Sequence, residues 1–279
     1  ENDTRSAENM PTALSHLVDL GITHVHLLPI FDFCTIDETK PLESQYNWGY
    51  DPANFNVPEG SYATDAHNGY ARIIELKQMI MALKKANIGV VMDVVYNHTY
   101  KTSDSDFNKL VPGYYYRQDH MGNFSNGSGC GNEIATVRSM VRNFIISSVK
   151  MWAQEYKIDG FRFDLMGLID IETMNEIRLA LDKICPSILL YGEGWTGGPS
   201  LLKGYEASTK ANAAKLNKIG FFNDNTRDAI KGDAFNPYGT GFITGNYSYK
   251  EGVKFGVAGA VYHPGIDYSK VNYSGYAWA

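Results

Sequence analysis

The sequence predicts an α/β protein built on a parallel eight-stranded barrel. Three observations carry that expectation. Amphipathic helical stretches alternate with short, nearly continuous apolar runs, which implies parallel strands joined by crossovers. The polar residues with chemical potential gather at the ends of those runs, where both barrels and open doubly wound sheets place their sites. No Gly-x-Gly-x-x-Gly or Walker-type loop opens a helix, which argues against a nucleotide-binding open sheet and for the barrel.

The elements follow in order. A helix is expected at about 11–20, turning at Gly21 into a strand at 23–29. Ile73, Leu76, Ile80 and Leu83 recur at helical spacing before the strand at 88–95. A long helix is expected over 133–156, with Val137, Val141, Phe144, Ile145, Val149 and Trp152 on its apolar stripe, leading into 158–165. The next helix should open on a capping pair, Thr173 and Glu176, and carry Ile177, Leu181 and Ile184. Pro186 stops it before the strand at 188–191, and a weaker strand follows at 219–222. Two segments break the cadence: a polar, Gly- and Tyr-rich loop at about 100–132 and a Gly-rich, irregular one at about 231–265. Loops of that length in a compact domain are more often binding loops than filler. The whole of 1–279 reads as one barrel domain.

Of 279 residues, 44% are hydrophobic and 20% charged, enough to bury a large core. A net charge of −6 without a basic cluster argues against a nucleic-acid partner, and no apolar run is long enough to cross a bilayer. Nineteen Tyr and four Trp offer flat amphipathic faces suited to sugars, although most aromatics simply fill cores. Cys34, Cys130 and Cys185 are odd in number and widely spaced, with neither disulfide nor metal patterning. The sequence assigns no compartment.

The run from Asp159 to Asp164 is the richest in chemistry. In a strand, Arg162 and Asp164 share one face and Phe161 and Phe163 the other. A guanidinium two residues before a strand-end carboxylate lowers its pKa and orients it, as an ionised nucleophile requires. Asp93 is a buried acid within its strand, expected to be a structural partner of Arg162, and His98 should sit at the mouth. Glu193 lies between Gly192 and Gly194, which admit a ligand close to the backbone. Trp195 beside it should raise the carboxyl pKa by desolvation, so that Glu193 carries a proton at neutral pH while Asp164 stays charged. Two carboxyls with diverging pKa values form an acid and nucleophile pair, the pair a glycosidase needs.

The segments Asp93 to His98, Gly160 to Gly167 and Gly192 to Trp195 resemble, in order, three conserved regions of the α-amylase superfamily. Tyr46-Asn47-Trp48-Gly49-Tyr50-Asp51-Pro52 resembles the signature of type I pullulanases. Asp164-Leu165-Met166-Gly167 and Pro112-Gly113-Tyr114-Tyr115-Tyr116-Arg117 are similar to the same branch. The resemblance implies a (β/α)8 TIM barrel and retaining hydrolysis of α-1,6-glucosidic linkages in pullulan, amylopectin or glycogen. It implies Asp164 as nucleophile, Glu193 as general acid/base and Arg162 orienting Asp164. His98 would bond the reacting sugar, Tyr50 stack beneath it, Trp195 line the leaving-group side and Asp93 give structural support. It requires no cofactor. Calcium could be held by Asn97 and the acidic loop after it, although no loop of recognised calcium spacing is present.

The family's third catalytic acid lies in a His-Asp pair, and no such dipeptide occurs here. The resemblance therefore implies barrel strands two to six of a longer enzyme, too few to close a barrel, with little activity expected of residues 1–279 alone. Within the same superfamily, an α-1,4-acting amylase or transglycosylase is the alternative function; from another class, a catalytically dead glucan-binding fragment.

Overall fold

The computed structural model describes residues 4–41 and 44–272. Five strands form one all-parallel sheet: β1 (His24–Leu27), β4 (Gly89–Val94), β5 (Gly160–Phe163), β6 (Leu189–Gly192) and β7 (Gly220–Phe221), in the spatial order β1-β4-β5-β6-β7. All five strands expected from the sequence are present. Between them run α2 (Gly69–Lys85), α4 (Ser139–Glu155) and α5 (Ile171–Asp182), with α1 (Ala13–Asp19) preceding β1. A small antiparallel pair, β2 (Phe31–Phe33) with β3 (Pro52–Pro58), was not expected. β2 is only three residues long, and β3, bounded by Pro52 and Pro58, pairs with it through register shifts, so they carry little period-2 signal.

The sheet is rolled. Although β4 and β5 lie between β1 and β6, the Tyr191 hydroxyl reaches His26 Nδ1 at 3.1 Å. On a flat sheet their strands would stand roughly 14 Å apart, three inter-strand spacings. Side chains perpendicular to such a sheet would never meet. They meet because the sheet curls, and its concave side collects Asp93, Arg162 and Tyr191, which are in register across β4, β5 and β6.

The convex side is the core. Met92 and Phe161 pair in register and are fully buried, as is Phe163. The α4 stripe meets them through Val141, Ile145, Val149 and Trp152. The helix starts at Ser139, six residues later than expected, because 133–138 is drawn into a turn packed on the preceding loop; Val137 lies outside the helix and is largely exposed. At α5 the cap is Asp170 rather than Thr173: Asp170 accepts from the Thr173 N–H and hydroxyl, while Glu176 turns to Arg142. An Asp three residues upstream outcompeted the expected pair for the same N–H.

Neither long loop is unstructured. The first carries α3 (Asp106–Leu110) and two isolated bridges, Tyr116 to Ile134 and Gln118 to Phe124. The second corrects the expectation of an irregular stretch, for it begins where α6 (Asp224–Lys231) ends and contains α7 (Lys250–Val257). The two pack together, and Phe255, Ile266 and Val271 form a small second core.

Trp152 is fully buried and its indole N–H donates to the Phe55 carbonyl at 2.9 Å, tying α4 to β3. Replacing it with alanine should cost about 3–5 kcal/mol. Chemical unfolding of the Trp152→Ala protein, followed by circular dichroism at 25 °C, measures this directly.

Candidate active site

The carboxyl ends of β4, β5 and β6 converge on one guanidinium. Arg162 Nη1 donates to both Asp93 oxygens, at 2.9 and 3.1 Å, and to Asp164 Oδ1 at 2.9 Å. Its other nitrogen, Nη2, stands 2.6 Å from Glu193 Oε1. The alternation of β5 explains the placement: Phe161 and Phe163 anchor the strand outward, which turns Arg162 inward. The ring of Phe222, next to β7, lies against the cluster, with the guanidinium over it 5.6 Å from its centre.

Each carboxylate has further donors. Asp93, buried, accepts from the Tyr50 hydroxyl at 2.7 Å, and His26 Nε2 lies 3.7 Å from it. Asp164 accepts from the Asn97 amide at 2.8 Å, and the same amide holds the Asp164 backbone carbonyl. Glu193 Oε2 accepts from the Leu165 N–H at 3.0 Å. Leu165 adopts a left-handed conformation, φ 40° and ψ 50°, which costs a side-chain-bearing residue ~1–2 kcal/mol. That turn aims its N–H from the β5 end at the acid of β6. It closes because Gly167 donates to the Glu193 and Trp195 carbonyls, at 3.1 and 3.2 Å; a Cβ at Gly167 would stand 2.5 Å from the Trp195 oxygen.

Of the residues expected from the sequence, Asp93, Arg162, Asp164, Glu193, Tyr50 and His98 come together. Three differ in detail. The carboxyl pushed upward is Asp164, to about 6, by burial first and then by the charge of Glu193, which together outweigh Arg162 and Asn97. The expected lowering by Arg162 is diluted because that one guanidinium serves three carboxylates. Glu193, expected to be governed by Trp195, is instead in contact with Arg162. His98 is buried with both ring nitrogens facing oxygens, Nε2 the Tyr50 carbonyl at 3.0 Å and Nδ1 Asn97 Oδ1 at 2.6 Å; the neutral ring donates to one of the two, and neither nitrogen faces open space where a sugar could lie. Burial lowers its pKa to about 4.

Tyr50 is set by its own motif. Asn47 accepts from the Gly49 N–H and donates to Asp51, Asp51 accepts from Thr35, and Gly49 has φ +87° with Pro29 packed against it. This knot fixes Tyr50 between His98 and Asp93, while Tyr46 and Trp48 stand exposed, joined by an indole-to-hydroxyl bond of 2.9 Å. Trp195 lies at the rim with the Lys210 ammonium 5.5 Å from its ring centre.

Sequence reasoning missed the grip of Asn97 on Asp164. The signal is in the sequence, since Asn97 follows Asp93 by an even number of residues, but the expected use of its oxygen as a calcium ligand hides it. Here its side chain is spent on Asp164 and His98. Among the described residues no group of three or more His, Cys, Asp or Glu is placed to hold a metal ion.

The catalytic-domain model of the α-amylase family matches residues 10–121. The pullulanase of Bacillus subtilis strain 168 is 47% identical over 93% of this chain. The chain belongs to the α-amylase family, as a stretch of pullulanase-type catalytic domain. Pullulanase 1 of Arabidopsis thaliana is 38% identical over 83% of the chain. The crystal structure of Paenibacillus barengoltzii pullulanase in complex with maltohexaose and α-cyclodextrin superposes with a TM-score of 0.91, at 53% identity over 94% of this chain and 41% of that one. The chain spans 36% of the length of the Bacillus relative and 28% of the plant one. The rolled parallel sheet of this pullulanase-type domain is thus a section of TIM-barrel wall.

The raised pKa of Asp164 has a stability consequence with a definite sign. A carboxyl whose folded pKa exceeds its unfolded value stabilises the fold below the unfolded value, near 4, and loses that contribution as pH rises through about 6. The Asp164→Asn protein should therefore unfold at a higher temperature than the parent at pH 7, with the gap closing by pH 4. Thermal unfolding at the two pH values tests this, and an unchanged gap would contradict the assigned direction.

Proposed function

We propose that Asp164 and Glu193 are the nucleophile and the general acid/base of a retaining α-glucan hydrolase that cleaves α-1,6-linkages in pullulan, amylopectin or glycogen. The observation that carries this reading is the shared guanidinium: Arg162 holds the two carboxylates on separate nitrogens, so they face one small volume. Retaining chemistry needs the carboxyls about 5–5.5 Å apart, close enough for direct attack without an intervening water. The pullulanase relatives and the maltohexaose bound to the Paenibacillus enzyme support the substrate class.

In the first step a lone pair of Asp164 forms a bond to the anomeric carbon while the glycosidic bond breaks. Its electrons go to the departing oxygen, which takes the proton from Glu193. Each carboxylate oxygen retains a lone pair beyond its bonds to Arg162, Asn97 or Leu165, so these donors orient without blocking. In the second step Glu193 takes a proton from water, the water oxygen attacks the same carbon, and Asp164 leaves as carboxylate. Arg162 and Asn97 stabilise the charge that Asp164 carries before and after the ester. Asp93 keeps Arg162 and Tyr50 in place; the Tyr50 ring forms the floor under the sugar, and Trp195 the wall on the leaving-group side. His98 supports Tyr50 through its carbonyl.

Pullulan digestion by the intact protein should release maltotriose; panose-type products would mean α-1,4 cleavage. A 2-fluoro glycosyl fluoride should trap as an ester on Asp164, read by peptide mass. Asp164→Asn and Glu193→Gln should each lower kcat by roughly a thousandfold or more, as loss of a covalent or proton-transfer partner does. Because the nucleophile must be ionised, kcat/KM should fall as pH drops through about 6. Label on another residue, or none at all, would overturn the assignment.

A further inference from the structure

Arg117 ends the sequence motif Pro112 to Arg117, which the catalytic proposal leaves without a task. It is 7% exposed and lies against Glu133, which is fully buried, Nη1 to Oε1 at 3.5 Å. Two charges are seldom removed from water at such depth without being tied to something.

The ties are specific. Arg117 Nη1 donates to the Leu168 carbonyl at 2.9 Å, and Nη2 to the Thr136 hydroxyl at 3.0 Å. Leu168 closes the turn that begins at Leu165, the residue whose N–H holds Glu193. Glu133 Oε1 accepts from the Ser200 hydroxyl at 2.9 Å and the Leu201 N–H at 3.2 Å, in the loop that follows Glu193. The Gly198 N–H donates to the Gly127 carbonyl at 2.8 Å. Gly127 is where the segments meet: a Cβ there would collide with Glu133 Oε2, Leu168 and Ser200 at once, within 1.9 to 2.9 Å.

We propose that Arg117 and Glu133 are positioning residues that lock the turn beyond Asp164 and the loop beyond Glu193 into one unit, and so set the geometry between the two catalytic carboxyls. This deepens the proposed function and rests on it. The pair touches no reacting atom. It acts through Leu168 on the strained turn at Leu165, and through Ser200 and Leu201 on the segment that carries Glu193 and Trp195. Uncoupling the two segments lets Glu193 drift relative to Asp164, which weakens the transition state more than the ground state.

The test is Glu133→Gln in the intact protein, assayed on pullulan at a temperature where circular dichroism shows it folded. The expected result is a fall in kcat of about tenfold with KM within about twofold of the parent, the split of an interaction felt mainly in the transition state. Hydrogen exchange read by mass spectrometry should show 165–168 and 194–201 losing protection together. Ser200→Ala, which strands no charge, should show the same pattern more weakly and decides the matter alone if Glu133→Gln fails to fold. Parental kcat in a variant whose segments have loosened, or segments that do not loosen together, overturns the proposal. A parent that cleaves no α-glucan overturns the proposed function instead, and hydrogen exchange still decides the coupling.

Discussion

One guanidinium against three carboxylates is the constraint on which this architecture turns. Arg162 is nearly buried, and Asp93, Asp164 and Glu193 all lie within 3.1 Å of its nitrogens. Were every group charged, the cluster would carry a net charge of about −2 in a largely buried site, and Coulomb repulsion there is screened far less than in solvent. Neutral donors make up the shortfall: the Tyr50 hydroxyl for Asp93, the Asn97 amide for Asp164, the Leu165 N–H for Glu193. Each comes from a different segment. The loop holding Tyr50, the end of β4 and the turn after β5 must therefore all be in place before the cluster is tolerable.

That requirement explains the local strain. The left-handed Leu165 and the glycine at 167 are poor choices for stability alone, yet they aim an N–H at an acid on the neighbouring strand. The elevated pKa of Asp164 comes from burial first and the charge of Glu193 second, which a guanidinium divided among three carboxylates does not offset. Stability is spent at the carboxyl ends of the strands. It is recovered on the convex side, where Phe161, Phe163 and Trp152 are sealed beneath α4.

Legibility in the sequence followed the same division. The five sheet strands were readable because each is a short apolar run between helical periodicities. Asp164, Glu193, Arg162 and Asp93 were readable because charged residues at the end of an apolar strand have few structural uses. The start of α4 departs from the expectation because 133–138 continues a helical apolar pattern, while its backbone bonds to other segments instead: the Ile134 and Ala135 N–H groups donate to the Asn97 and Tyr115 carbonyls. The direction of the pKa shift on Asp164 was misread for a related reason. The sequence shows that Arg162 is two residues away, but not that Asp93 and Glu193 compete for it.

The contrast between the two kinds of misreading says where the physics resides. A pairwise inference, one acid and one base on one face of a strand, is carried by local geometry that repeats every two residues. A shared partner is a property of three strands in register, and no local period encodes it. Asp93, Arg162 and Tyr191 align only because β4, β5 and β6 are parallel without a slip. The sheet must also roll for Tyr191 to find His26 across the intervening strands. Curvature thus converts a row of strand-end side chains into a concave cluster. The electrostatics of Asp164 follow from its burial in that cluster first and from Glu193 on the adjacent strand second, with a single guanidinium shared among three carboxylates to oppose them.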